Sequence, residues 1–120
     1  MLGSINLVKF LQKEGGRWTF DLPAFQYVVA IATTFLNDVM EVTTSGIELF
    51  DTVKEREKKI GLGIMGWADL LVALRIPYDS LEALELAELL GKVMYETALN
   101  VSKRLAHEYG EFYPGYGRYN

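Results

Sequence analysis

The sequence predicts a mainly α chain of three to four helices, one of them long and C-terminal, with one or two short β segments. Three observations carry this. Apolar residues recur at three- and four-residue steps over two stretches, 21–42 and 80–109. Helix-start residues stand at the head of each: Asp21 with Pro23, and Asp79 with Glu82. Between them a short apolar run broken by glycines, 59–66, reads as a buried strand running straight into a helix.

In chain order, residues 1–20 are weak β or loop. The β-prone run Ser4 to Leu11 is followed by Gly15-Gly16 and by Arg17 to Phe20, which fits a small hairpin across a turn of no strongly preferred type. Asp21 caps a helix over 21–42 whose apolar set is Phe25, Val28, Val29, Ala32, Phe35, Leu36, Val39 and Met40. Ser45 and Glu48 have capping-box spacing and open a helix over 45–58, with Ile47, Phe50 and Val53 on one face. Its end is the run Lys54 to Lys59, mixed charge at helical spacing that reads as a solvated face.

The strand at 59–66 leads into a short helix over 67–75, stopped by Arg75-Ile76-Pro77. Asp79 then launches the long helix over 80–109, closed by Gly110. Its stripe of Ala83, Ala87, Leu90, Met94, Ala98, Val101 and Leu105 is widened by Leu84, Leu86, Leu89 and Val93, so cover on more than one side is expected. Gly91, costly in mid-helix by about 1 kcal/mol, implies the close approach of another element. The tail, 110–120, reads as irregular. One internal strand without a sure partner suggests a piece of a larger fold, or a strand that pairs with another chain.

The totals narrow the function. At 120 residues the chain is one domain or part of one, with half its residues apolar and 23% charged. A net charge of −4 and a pI near 5.0 argue against a nucleic-acid partner. Met1 to Lys13 has short apolar runs broken by Lys9 and Lys13, so neither a membrane span nor a leader is read there. Cysteine is absent, which removes disulfides, thiolate metal sites and a cysteine nucleophile, and makes the cytoplasm the default compartment.

Gly61-x-Gly63-x-x-Gly66 is formally a dinucleotide pattern, but Glu57-Lys58-Lys59 precede it and no second strand with an acidic residue follows. The three glycines read instead as structural, admitting close approach of a backbone or ligand. A nucleotide-binding regulator using Gly61 to Gly66 is the weakest alternative. No metal site is expected: His107 is the single histidine, and it reads as a surface residue near a helix C-terminus. Glu82, Glu85 and Glu88 read as solvating charge, and Asp69 as a helix-start carboxylate. Tyr109, Phe112, Tyr113, Tyr116 and Tyr119, with Arg118, read as packing aromatics rather than a base-stacking platform. No catalytic residue is read from the residues themselves.

Three motifs together resemble the catalytic chain of ribonucleotide reductases, most closely the adenosylcobalamin-dependent class. They are Leu2-Gly3-Ser4-Ile5-Asn6-Leu7; Lys59 through Leu71, read as Lys-Ile-Gly-Leu-Gly-Ile-Met-Gly-Trp-Ala-Asp-Leu-Leu; and Ile76-Pro77-Tyr78-Asp79-Ser80 with Glu82-Ala83-Leu84. Ala106 to Pro114 resembles a further region, so the likeness covers nearly the whole chain. A departure stands at Thr44-Ser45-Gly46, where the family tends to start a helix with proline.

The resemblance implies an excised piece of the reductase α/β barrel, with Ile60 to Met65 one barrel strand between parallel neighbours from outside this chain. It implies that Leu2 and Gly3 lie near substrate. It implies adenosylcobalamin for the parent enzyme, while the isolated chain would carry no cofactor. The family's radical cysteine lies upstream, and one redox cysteine would stand two residues before Leu2. The expectation is therefore a reductase segment inactive alone, whose partner is the remainder of the barrel or a second copy of itself. The alternative is a non-catalytic, homodimeric helical module derived from that family.

Overall fold

A computed structural model of the chain describes residues 1–110, so the tail expected to be irregular lies, from Glu111 on, outside the described residues. The order is β1 (Leu2–Asn6), a 3-10 turn (Leu7–Phe10), β2 (Leu11–Glu14), β3 (Arg17–Phe20), α1 (Leu22–Val42), α2 (Glu48–Glu57), β4 (Gly61–Met65), α3 (Trp67–Leu74) and α4 (Leu81–Tyr109).

The β-prone run at the start is not one strand. The Asn6 side chain accepts a hydrogen bond from the Val8 N–H at 3.3 Å and turns the chain into the 3-10 segment, which ends β1. The hairpin lies further on, β2 pairing antiparallel with β3 from Leu11↔Phe20 to Glu14↔Arg17. Gly15 and Gly16, at φ +56° and +82°, form a two-residue loop with both residues left-handed, which suits the twist of a hairpin.

The larger correction concerns the glycine strand. β4 does have a partner within the chain: it pairs parallel with β1, in register from Leu2↔Gly61 to Asn6↔Met65. All of α1 and α2 lie in the crossover between them, as parallel pairing requires.

α1 matches its expected range. Asp21 Oδ1 accepts from the Ala24 N–H at 3.0 Å, and proline sits in the first turn. Phe25, Val29, Leu36 and Met40 are buried, whereas Phe35, expected in the same stripe, is 63% exposed. α3 is also as expected, with Arg75 left-handed at its end.

Two helix starts differ from expectation. α2 begins at Glu48, after Ile47, which contributes no side-chain cap. Left-handed Gly46 interrupts the chain there, and Ser45 bonds Asp51 instead of capping. α4 is capped by Ser80, one residue beyond Asp79, its hydroxyl oxygen accepting from the Ala83 N–H at 3.2 Å.

The core joins β1, the 3-10 turn, α1, α3 and α4 through Ile5, Leu7, Phe10, Phe25, Val29, Leu70 and Leu90. Phe10, Phe20 and Phe25 form a ring cluster with centroids 5.5–5.9 Å apart, tying the 3-10 turn, hairpin and helix together. α4 buries Ala83, Leu90, Thr97, Val101 and Leu105, while Leu84, Ala87 and Leu89 face outward, so among the described residues it is covered along one side. Among the described residues nothing approaches within 4 Å of a Cβ placed on Gly91, so no described neighbour offsets that glycine.

α2 is turned the wrong way round for a surface helix. None of its residues is buried, and Ile47, Leu49, Phe50 and Val53 are exposed. Its polar residues bind back to the chain: Lys54 Nζ donates to the Thr43 carbonyl at 2.6 Å and Lys58 Nζ to Glu41 at 3.0 Å. The charged run, expected as a solvated face, is thus partly a tether to the end of α1.

Candidate functional site

In a parallel pair, registered partners share a face and alternate along the strand. One face of the β1–β4 pair carries Gly3 beside Leu62 and Ile5 beside Ile64, the last of these 41% exposed. A Cβ on Gly3 would lie 3.5 Å from Leu36 of α1, and Ile5 is buried in the core. The other face carries Leu2 beside Gly61, Ser4 beside Gly63, and Asn6 beside Met65. No described helix covers that second face at Leu2, which is 89% exposed, and Ser4, Gly63 and Met65 are exposed with it.

The structure thus brings Leu2 together with Gly61 and Gly63 but separates it from Gly3, whose missing side chain points at α1. Gly66 lies just past β4, where it starts α3 in the left-handed conformation at φ +78°. A Cβ there would lie 2.9 Å from Asn6 Oδ1, so the junction of β4 and α3 passes close against the end of β1. Ser4 and Asn6 were not singled out as site residues from the sequence. Their signal in the sequence is the period-2 placement of Ser4 and Asn6 opposite Gly3 and Ile5, which gains a meaning only once β1 is seen to end at Asn6.

Chemically this face offers one aliphatic side chain, one hydroxyl, one carboxamide and a strip without side chains at two glycines. It has no acid, base or nucleophilic thiol. The dinucleotide geometry is absent as well, because Gly61 and Gly63 lie inside β4 rather than in a turn after it.

The remaining candidates are dispersed. Asp69 is exposed in the first turn of α3; Glu82, Glu85 and Glu88 are exposed along the start of α4; His107 is exposed in its last turn. Among the described residues no group of three or more His, Cys, Asp and Glu could hold a metal ion. None of the described helices is long and apolar enough to cross a membrane. Tyr109 is exposed at the end of α4, and Phe112, Tyr113, Tyr116, Arg118 and Tyr119 lie outside the described residues.

Comparison with known proteins agrees with the strand-and-helix arrangement. The family model described as "Ribonucleotide reductase, barrel domain" matches residues 1–120. The chain is 40% identical over 116 residues to a vitamin B12-dependent ribonucleoside-diphosphate reductase of Thermoplasma acidophilum, covering 97% of this chain and 15% of that protein. It is 42% identical over 111 residues to the enzyme of that name from Mycobacterium tuberculosis, covering 92% and 16%. A ribonucleoside-diphosphate reductase large chain from Cryptosporidium parvum is 34% identical, again over 92% of this chain and 14% of the relative. The chain therefore spans about one-seventh of the length of the curated relatives it matches. With its parallel strand pair, its glycine-bearing strand and a family match from end to end, the chain belongs to the ribonucleotide reductase barrel-domain family.

Proposed function

We propose that the chain serves as one segment of a ribonucleotide reductase barrel, an enzyme that reduces ribonucleotides to deoxyribonucleotides, and that it has no turnover by itself. The observation that carries this reading is the half-covered parallel pair. Parallel sheets are stable when both faces are covered and further strands continue them. Here helices cover one face along β1, and β1 and β4 have no further strand beside them among the described residues. The rest of a barrel would supply those neighbours and whatever closes over Leu2, Ser4 and Gly63. In this reading Leu2 lies beside substrate through its side chain, and Gly3 contributes only its backbone to that side.

The relatives named as vitamin B12-dependent support a cobalamin cofactor for the complete enzyme. We assign the seat of that cofactor to the rest of the barrel, because in this segment the acids are dispersed and the single histidine stands exposed at the far end of α4. The cofactor provides radical chemistry, but a protein thiol must receive it, and this chain has no cysteine. The partner is accordingly the remainder of the barrel, in the cytoplasm.

The test is ribonucleotide reduction by the purified chain with adenosylcobalamin and a dithiol. No deoxyribonucleotide above the cofactor-only control is expected, and turnover above it overturns the reading. A second reading, a non-catalytic dimeric module, is favoured by the outward apolar side of α2. A concentration-independent, salt-resistant dimer by sedimentation would favour it over the barrel segment.

A further inference from the structure

The open sheet face sets an almost uncovered leucine beside a glycine whose Cβ position the tip of that leucine occupies. A Cβ on Gly61 would lie 2.6 Å from Leu2 Cδ2, and its next nearest neighbours are 3.9 Å and 4.0 Å away. The backbone does not demand glycine here. Gly61 is not among the residues of positive φ, and its N–H donates to the Met1 carbonyl at 2.8 Å as part of a regular ladder. Gly63, next on the same face, is different: a Cβ there would meet nothing nearer than the Gly3 carbonyl at 3.9 Å. Of the two glycines, one has space and the other is filled by Leu2.

We propose that Gly61 is a positioning residue for Leu2. Its missing side chain lets the leucine lie flat along the strand pair, and so sets how much of the floor at Ser4 and Gly63 stays clear for a ribonucleotide. The ligand half of this proposal rests on the reading of that face given above. Alanine at 61 would lift the end of Leu2 away from the sheet and into the open space. That end is flexible and solvent-exposed, so the displacement leaves the core intact.

The test begins with methyl NMR of the full chain carrying labelled leucine δ-methyls. A cross-peak between a Leu2 methyl and the Gly61 α-protons is expected. In G61A the Leu2 methyls shift, while those of buried Leu70 and Leu90 keep their wild-type positions. No contact in the wild type, or unmoved Leu2 methyls in G61A, overturns the proposal. Shifts at Leu70 and Leu90 as well would make Gly61 a general packing glycine and also overturn it.

The second arm places G61A and L2A in a complete reductase chain carrying this segment. Each is expected to raise the ribonucleotide KM about tenfold while kcat changes less than about twofold. If L2A raises KM and G61A does not, the positioning role fails and the reading of the face stands. If neither changes KM, that reading and the ligand half fall together, leaving the steric half to the NMR result.

Discussion

Asn6 Oδ1 occupies the space that a Cβ on Gly66 would need, 2.9 Å away, and the same oxygen accepts the Val8 N–H at 3.3 Å. One carboxamide therefore caps the 3-10 turn at the end of β1 and fills the space beside Gly66 where β4 passes into α3. Gly66→Ala should cost about 2 kcal/mol or more, part from its left-handed φ and part from displacing Asn6. Asn6→Ala alone should cost about 1 kcal/mol. In urea unfolding the double variant should be less destabilised than the sum, because Asn6→Ala removes the obstruction. Strict additivity would show that the two residues do not meet.

Phe25→Ala should be the most damaging single change in α1. Phe25 is fully buried and packs edge-on against both Phe10 and Phe20. Truncation of such a phenylalanine costs about 3–5 kcal/mol, a large part of a small domain's stability. Loss of cooperative thermal unfolding is the expected readout, and a change below about 1 kcal/mol would place the core elsewhere.

Phe50→Ser should do almost nothing to stability. Phe50 is 59% exposed on the outward side of α2 and contributes to no core. The unfolding midpoint should stay within about 0.5 kcal/mol of wild type, despite the loss of a large aromatic side chain. A loss above about 1 kcal/mol would mean that α2 folds with its apolar side inward.

Asp51 should titrate below its ordinary value of 3.8, held down first by the Ser45 backbone N–H and then by the Ser45 hydroxyl. Both bonds are 2.8 Å long and converge on Oδ1. A carboxyl depressed in the folded state adds stability that is present above that ordinary value and lost as pH falls through the folded one. Acidification through that window should therefore loosen the start of α2 first. NMR titration should also show Ser45→Ala moving the midpoint up only part of the way, since the backbone bond survives. A full return to 3.8 would assign the whole effect to the hydroxyl.

Long periodic elements were legible in the sequence because their signals are local. Asp21, the apolar steps through Met40, the glycine at 110 and the run from Trp67 to Leu74 each depend on residues within a turn or two. The partner of β4 was not legible, because Leu2 and Gly61 meet across two intervening helices and no local preference records that pairing. Helix starts were misplaced by a few residues where two capping residues stood close together, as at Asp79 and Ser80, or where a glycine broke the chain, as at Gly46. Of the candidate site, Gly61, Gly63 and Gly66 stand out in the residue pattern itself, and Leu2 enters through family resemblance. Ser4 and Asn6 became visible once β1 had a fixed face.

The parallel pairing of β1 with β4 also fixes a schedule for the molecule. The hairpin, the 3-10 turn and α1 can form from neighbouring residues as they leave the ribosome. β1 cannot acquire its partner until about 60 further residues have been made, roughly 3–12 s at ordinary synthesis rates. Through that interval Leu2, Ser4 and Asn6 sit on a strand with an unsatisfied edge, the condition in which nascent chains misassociate. Closing so long a loop adds an entropic barrier of its own. The strand pair that organises the open face is therefore a contact that no neighbouring residues can form early, and a step exposed to competition from other chains.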